Sequence, residues 1–281
     1  MAFKISQKKN RRPPLRSSSS YSDSRETGGR KQSPTRKRVN VLTVVFIVIA
    51  LGVFGVSLFN LINIYMDYRV AQGEYKNIDT SFTSTDGDSG LLKIAYDQLT
   101  ETNQDFVAWI HIPDTPVSYP IVYSSANNDV YLRTTFLGQY ATAGSIFIDY
   151  RCKDYFSSRV TIIYGHRMND NTMFSPLKNY LTRDFWEDHR EIHIYMKTGI
   201  EVYQVFSSYT AVLDDECYAF YFESDKAFMD WSKSVSGKSN YNTGISMKSD
   251  SRVIVLSTCV YAQEDNRNVV LAVYDHTLPN P

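Results

Sequence analysis

The longest apolar stretch lies near the start of the chain, where Val39 to Met66 carries no charged residue. At about 1.5 Å of rise per residue, its core from Val41 to Ile64 reaches across roughly 30 Å of hydrocarbon. We read 39–66 as a transmembrane signal anchor. A cleavable signal peptide fits less well, because its apolar region would be about 7–15 residues and no convincing small-x-small site follows. Beyond Met66 the chain turns polar, and Thr80 to Gly90 has linker composition, so 67–90 is expected to be a linker. Asp86-Gly87-Asp88 hints at a calcium loop. It lacks the ligand spacing and terminal Glu of an EF-hand, and reads as solvated linker.

Leu91, Leu92, Ala95 and Leu99 fall at helical spacing and predict a helix over Leu91–Asn103. From Phe106 the period changes to two. Strands are expected over Phe106–Ile112, Val117–Tyr123, Gly144–Asp149, Arg159–His166, Glu191–Met196, Glu201–Tyr209, Arg252–Leu256 and Val269–Tyr274. Lys197-Thr198-Gly199 should turn a hairpin. Short helices are expected at Asn127–Leu132, Phe174–Tyr180 and Arg183–Asp188. A longer one over Lys226–Val235 would place Phe228, Trp231 and Val235 on one face. Eight short strands with few helices argue for a mainly β barrel or sandwich.

The net charge of zero hides an asymmetry. Residues 1–38 hold 12 Lys/Arg against 2 Asp/Glu, and the rest of the chain holds 18 against 28. Arg36, Lys37 and Arg38 stand directly before the apolar stretch, so the positive-inside rule puts the N-terminus in the cytoplasm and 67–281 outside. Residues 1–38, rich in Ser, Pro and Arg, cannot bury a core and are expected to be a disordered cytoplasmic tail. Nucleic-acid binding by this tail is the weaker reading, since a membrane anchor already accounts for its charge. About 215 residues remain outside, enough for one well-buried domain over 91–281. The three cysteines, Cys152, Cys217 and Cys259, make no disulfide scaffold. A Cys152–Cys217 bridge is open, though nothing in the sequence requires it.

Candidate chemistry collects at strand ends. Val253 to Leu256 is an apolar, β-branched run that ends in Ser257, Thr258 and Cys259. Arg159 to His166 is a second such run, ending in a histidine. Arg267 follows Cys259 by eight residues, just before the last strand. Thiol, imidazole and guanidinium are the parts of a cysteine acyl-transfer site. Taken singly, each has a blander reading: a small buried thiol, a histidine capping a strand, a solvated arginine with Asp265 as surface partner. His189 and His193 are four apart, but Glu191–Met196 alternates as a strand, so no metal site is expected.

The wording of these motifs resembles the sortase family, most closely class B. The resemblance rests on Leu256-Ser257-Thr258-Cys259, on Ile163-Tyr164-Gly165-His166-Arg167-Met168 with Thr172-Met173-Phe174 and Leu177 after it, and on Tyr131-Leu132 followed by Ala143 to Asp149. It runs from about Leu91 to the C-terminus. Val255 stands where the family often has Thr. The resemblance implies a closed eight-stranded barrel with an N-terminal helix and a helix between the sixth and seventh barrel strands, where Lys226–Val235 falls. It implies a membrane-anchored cysteine transpeptidase of a Gram-positive envelope. Cys259 would be the nucleophile, His166 the general acid and base, and Arg267 the oxyanion stabiliser, with Ser257 and Thr258 lining the substrate groove. The partners implied are secreted proteins bearing a C-terminal sorting signal, cut after its Thr, and an amine of peptidoglycan. No metal or organic cofactor is implied. A pilin-polymerising sortase, a hydrolytic cysteine protease and a non-catalytic peptide-binding module are the rival readings.

Overall fold

The computed structural model describes residues 40–259 and 266–281. The expected tail, 1–38, and Asp265 lie outside the described residues. The barrel and what packs on it belong to the compact unit Phe54–Pro281.

Helix α1 spans Val41–Phe82. Its apolar first part is long and apolar enough to cross a membrane, and its side chains from Val41 to Met66 stand exposed, as an anchor requires. The helix does not stop where the expected linker begins. Ala71, Glu74, Tyr75 and Ile78 are buried, at the i, i+3, i+4, i+7 spacing of one helical face. Gln72, Gly73, Lys76 and Asn77 around them dilute that stripe into linker-like composition. The next residues also depart from expectation. Thr83–Thr85 (β1) and Leu92–Ile94 (β2) pair as a small antiparallel hairpin. Its turn is closed by Asp86, which accepts from Ser89 N at 3.0 Å and pairs with Lys93. Helix α2 therefore begins only at Tyr96 and runs to Thr102.

Eight strands follow: β3 (Phe106–His111), β4 (Ser118–Tyr123), β5 (Ile146–Ile148), β6 (Val160–His166), β7 (Glu191–Met196), β8 (Gly199–Val212), β9 (Val253–Cys259) and β10 (Asn266–Leu278). They close into one barrel in the order β10-β8-β7-β3-β4-β5-β6-β9. β4·β5 and β6·β9 are parallel pairs, and the remaining neighbours are antiparallel. Closure leaves no free sheet edge. The expected β7–β8 hairpin forms around Lys197 and Thr198.

Trp109, Ile110, Ile121, Ile162, Val255, Leu256 and Leu271 are fully buried in the core. Each such aliphatic side chain contributes about 1.5–3 kcal/mol on removal from water. Helix α3 is Arg183–Asp188, and a 3-10 helix over Ser175–Leu181 precedes it. Helix α4 (Asp225–Gly237) lies between β8 and β9 and buries Phe228, Trp231 and Val235. Ser224 caps it, accepting from Ala227 N at 3.1 Å. Asn127–Leu132, expected as a helix, is a chain of turns. Asn127 Oδ1 accepts from Asp129 N at 2.8 Å and Asn128 Oδ1 from Tyr150 N at 2.9 Å. Such side chain-to-backbone bonds compete with the helical ladder. Cys152 and Cys217 are free and buried, so the open bridge does not form.

Candidate active site

β6 and β9 are adjacent, parallel and in register, so His166 stands directly opposite Cys259. Two separate β-branched runs, each ending in a reactive residue type, thereby bring those residues side by side. The end of β6 is pinned where it leaves the barrel: Phe174 N donates to His166 O at 3.0 Å, and Arg167 bridges Met173. Arg267 is the second residue of β10, opposite Ala211 of β8. Its Nη1 donates to the Thr258 carbonyl at 3.1 Å, which ties the guanidinium to the residue before Cys259.

The His166 imidazole is largely buried, and its Nε2 lies 2.7 Å from the Leu132 carbonyl. A carbonyl only accepts, so Nε2 carries the hydrogen and Nδ1 is the ring nitrogen that takes up a proton. Burial lowers the imidazole pKa below its ordinary 6.5, and the nearby Arg133 and Arg267 cations push the same way. The Leu132 carbonyl opposes them. Burial thus favours the neutral form of the ring.

These groups open onto a groove of about 650 Å³ lined by Leu132, Tyr164, His166, Asp214, Tyr218 and Arg267, among others. Tyr164 is opposite Ser257 in the β6–β9 ladder, and its ring stacks on Tyr218 with centroids 6.4 Å apart. Tyr164 Oη donates to Asp149 Oδ2 at 3.1 Å, and Arg151 grips both oxygens of the same carboxylate at 2.9 and 2.8 Å. Burial by itself would raise the Asp149 pKa, but the Arg151 hydrogen bonds outweigh it and hold the carboxyl below its usual range. One wall of the groove is thus a fixed Tyr–Asp–Arg network.

Ser257 and Thr258, the residues expected to line the groove, are 0 % and 2 % exposed. The Ser257 hydroxyl sits 3.0 Å from Tyr218 Oη, and Thr258 Oγ1 accepts from Asn268 N at 3.1 Å. The Ser257 hydroxyl thus meets a groove-lining tyrosine, and that of Thr258 the neighbouring strand β10. Sequence reasoning missed Tyr218, Arg133 and the Asp149–Arg151 pair. Tyr218 belongs to an aromatic-rich stretch in which nothing marks one ring over another. The Asp149–Arg151 spacing of two, just after an apolar strand, was the available signal for that pair.

A closed mixed barrel whose cysteine- and histidine-ended strands pair in parallel, beside an arginine, is the frame of a cysteine transpeptidase. Comparison with known proteins makes this specific. The Sortase domain model matches residues 110–275. Sortase B of Listeria monocytogenes is 33 % identical over 75 % of this chain and 88 % of its own length. Sortase B of Staphylococcus aureus is 29 % identical over 84 % of this chain and 96 % of its own. Among solved structures, sortase B from B. anthracis in complex with AAEK1 superposes with a TM-score of 0.65 at 33 % identity, covering 75 % of this chain and 99 % of that one. The chain belongs to the sortase family, on its class B side. It is a cysteine transpeptidase of the cell-wall sorting kind, carrying an N-terminal apolar helix suited to a membrane anchor.

Proposed function

We propose that Cys259 is the nucleophile, His166 the general acid and base, and Arg267 the stabiliser of the tetrahedral oxygen. The observation that carries this reading is the β6–β9 register, which pairs His166 with Cys259. The neutral imidazole takes the thiol proton. The thiolate attacks the carbonyl carbon of the Thr in a sorting signal. Arg267 faces the developing negative charge from a groove partly shielded from water, where a fixed cation counts most. The C–N bond breaks, and the imidazolium gives its proton to the departing amine. That leaves a thioester on Cys259. An incoming amine loses a proton to His166, attacks the thioester, and releases the thiolate as the new amide forms.

The substrates are secreted proteins ending in an Asn-Pro-x-Thr-Asn-like or Ser/Asn-Pro-x-Thr-Gly-like signal. The acceptor is an amine of peptidoglycan or its precursor. In this reading 1–38 is cytoplasmic, 39–66 spans the membrane, and the catalytic domain works outside, next to its acceptor.

The test is product analysis. The full chain in lipid nanodiscs is given a panel of sorting-signal peptides, with and without a glycine- or diaminopimelate-type amine. Ligated product that requires the amine is expected. Cleavage that ignores the amine would replace this reading with a hydrolytic protease. Ligation to a lysine of another subunit in preference to either amine would point to pilus polymerisation.

A further inference from the structure

The buried polar residues of α1, Glu74 and Tyr75, hold one segment of the catalytic unit, residues 131–145, while elsewhere along the helix Gln72 donates to Asp170 and Asp79 accepts from Ser118. Tyr75 Oη donates to the Gly144 carbonyl at 2.6 Å and accepts from Phe136 N at 3.3 Å. Glu74, only 8 % exposed, accepts from Thr135 Oγ1 at 2.7 Å and from Leu137 N at 2.9 Å. Asp67 accepts from Thr142 N at 3.1 and 3.2 Å.

Gly144 is the pivot. Its φ is +53, and a Cβ there would sit 2.5 Å from the Leu132 carbonyl oxygen. The Gly144 backbone therefore packs directly on the oxygen that accepts from His166 Nε2 at 2.7 Å. Ser145 closes the same segment, its N donating to Tyr131 O at 3.0 Å and its Oγ to Thr134 O at 2.8 Å. The path from helix to imidazole is continuous: Tyr75, Gly144, Leu132, His166.

Apolar residues alone would dock a helix here, as Ala71 and Ile78 do. Burying a carboxylate and a phenol costs free energy unless each is matched by partners. In α1 both are matched, and every partner of these two named above lies in the segment that presents Leu132 to His166. We propose that Glu74 and Tyr75 are positioning residues for acyl transfer: they lock the 131–145 segment so that the Leu132 carbonyl orients the His166 ring. The inference rests on the reading of His166 as acid and base. Fixing Nε2–H against a carbonyl sets both the tautomer and the ring plane, and a shift of about 1 Å at such a group costs up to about 100-fold in rate.

The experiment uses the full chain in lipid nanodiscs and compares Tyr75→Phe, Glu74→Gln and Glu74→Ala with wild type. Leu99→Ala, a core deletion on α2, serves as the stability control. Tyr75→Phe is expected to lower kcat about 10-fold while leaving the KM for the sorting peptide in place. It should also move the His166 titration, followed by NMR of ¹³C-labelled imidazole, to lower pH, because a displaced Leu132 carbonyl no longer supports the protonated ring. Glu74→Gln, which keeps one acceptor oxygen, should retain more activity than Glu74→Ala. Leu99→Ala should lower the Tm and leave the titration where it was. A Tyr75→Phe chain that loses only Tm, with wild-type kcat and an unmoved His166 titration, overturns the proposal. The titration needs no turnover. A wild-type chain that forms no acyl adduct would instead overturn the catalytic reading beneath it.

Discussion

Gly165 stands one residue before His166 and pairs with Thr258, one residue before Cys259. A Cβ at Gly165 would lie 2.7 Å from both Cγ and Cδ2 of Phe174 and would also meet Ile146 Cδ1. Neither neighbour has an outlet, since Phe174 and Ile146 are both 0 % exposed. The Phe174 backbone is held as well, by its hydrogen bond to His166 O. Gly165→Ala therefore adds a methyl to a filled core, and such overpacking costs about 1–3 kcal/mol. In a domain of this size that corresponds to a fall in Tm of roughly 2–12 °C. The strain is released through Phe174 and β6, both joined to His166, so activity should fall by about 10-fold beyond the loss of folded protein. Thermal unfolding by circular dichroism gives the first number, and kcat/KM per folded molecule gives the second. Trimming the obstacle should restore part of both: Gly165→Ala with Phe174→Leu should be less damaged than the two single changes sum to, since contacting residues couple. A Gly165→Ala chain with wild-type Tm and activity would refute this packing argument, as would strict additivity in the double variant.

Arg267→Ala should reduce kcat/KM by about 100- to 1000-fold, the loss seen when an oxyanion donor is removed, and Arg267→Lys should recover only part because it lacks the planar fork; steady-state kinetics on a sorting peptide measures both. Cys152 and Cys217 are 2 % and 0 % exposed, and burial raises both thiol pKa values, that of Cys152 to about 11. Iodoacetamide at pH 7.5 should therefore label the native chain once, at Cys259, and the urea-unfolded chain three times, as counted by intact mass. The lowered His166 pKa also carries a sign for stability. Below about pH 6.5 the unfolded chain takes up a proton that the buried imidazole resists, so folded stability is lost as pH falls from 6.5 toward the folded-state pKa. Urea midpoints at pH 7.5 and 5.5 should drop further for wild type than for His166→Asn, and equal drops would contradict the burial argument.

The barrel strands were legible because each is a β-branched or alternating run, and all eight appear. Their ends moved where pairing outweighs pattern: β8 runs to Val212 and β10 from Asn266 to Leu278 because they pair with each other along most of their length. The chemistry-bearing residue types at the ends of β6 and β9 were legible too, but that the two strands lie adjacent and parallel is set by barrel closure, which no local pattern encodes. What escaped was polar and long-range. Glu74 and Tyr75 read as linker because their burial depends on partners about 60–70 residues away. Asn127–Leu132 read as helix because helical spacing ignores side chains that bond the backbone.

The central claim is that Cys259 carries the substrate as a thioester while paired with His166. The most direct measurement is intact mass spectrometry of the full chain after brief incubation with a sorting-signal peptide and acid quench. The expected result is an adduct of the acyl fragment on Cys259, absent from Cys259→Ala, discharged by added amine, and greatly slowed in forming in His166→Ala. An adduct on Cys152 or Cys217, or amine-dependent ligation that survives Cys259→Ala, would contradict the account.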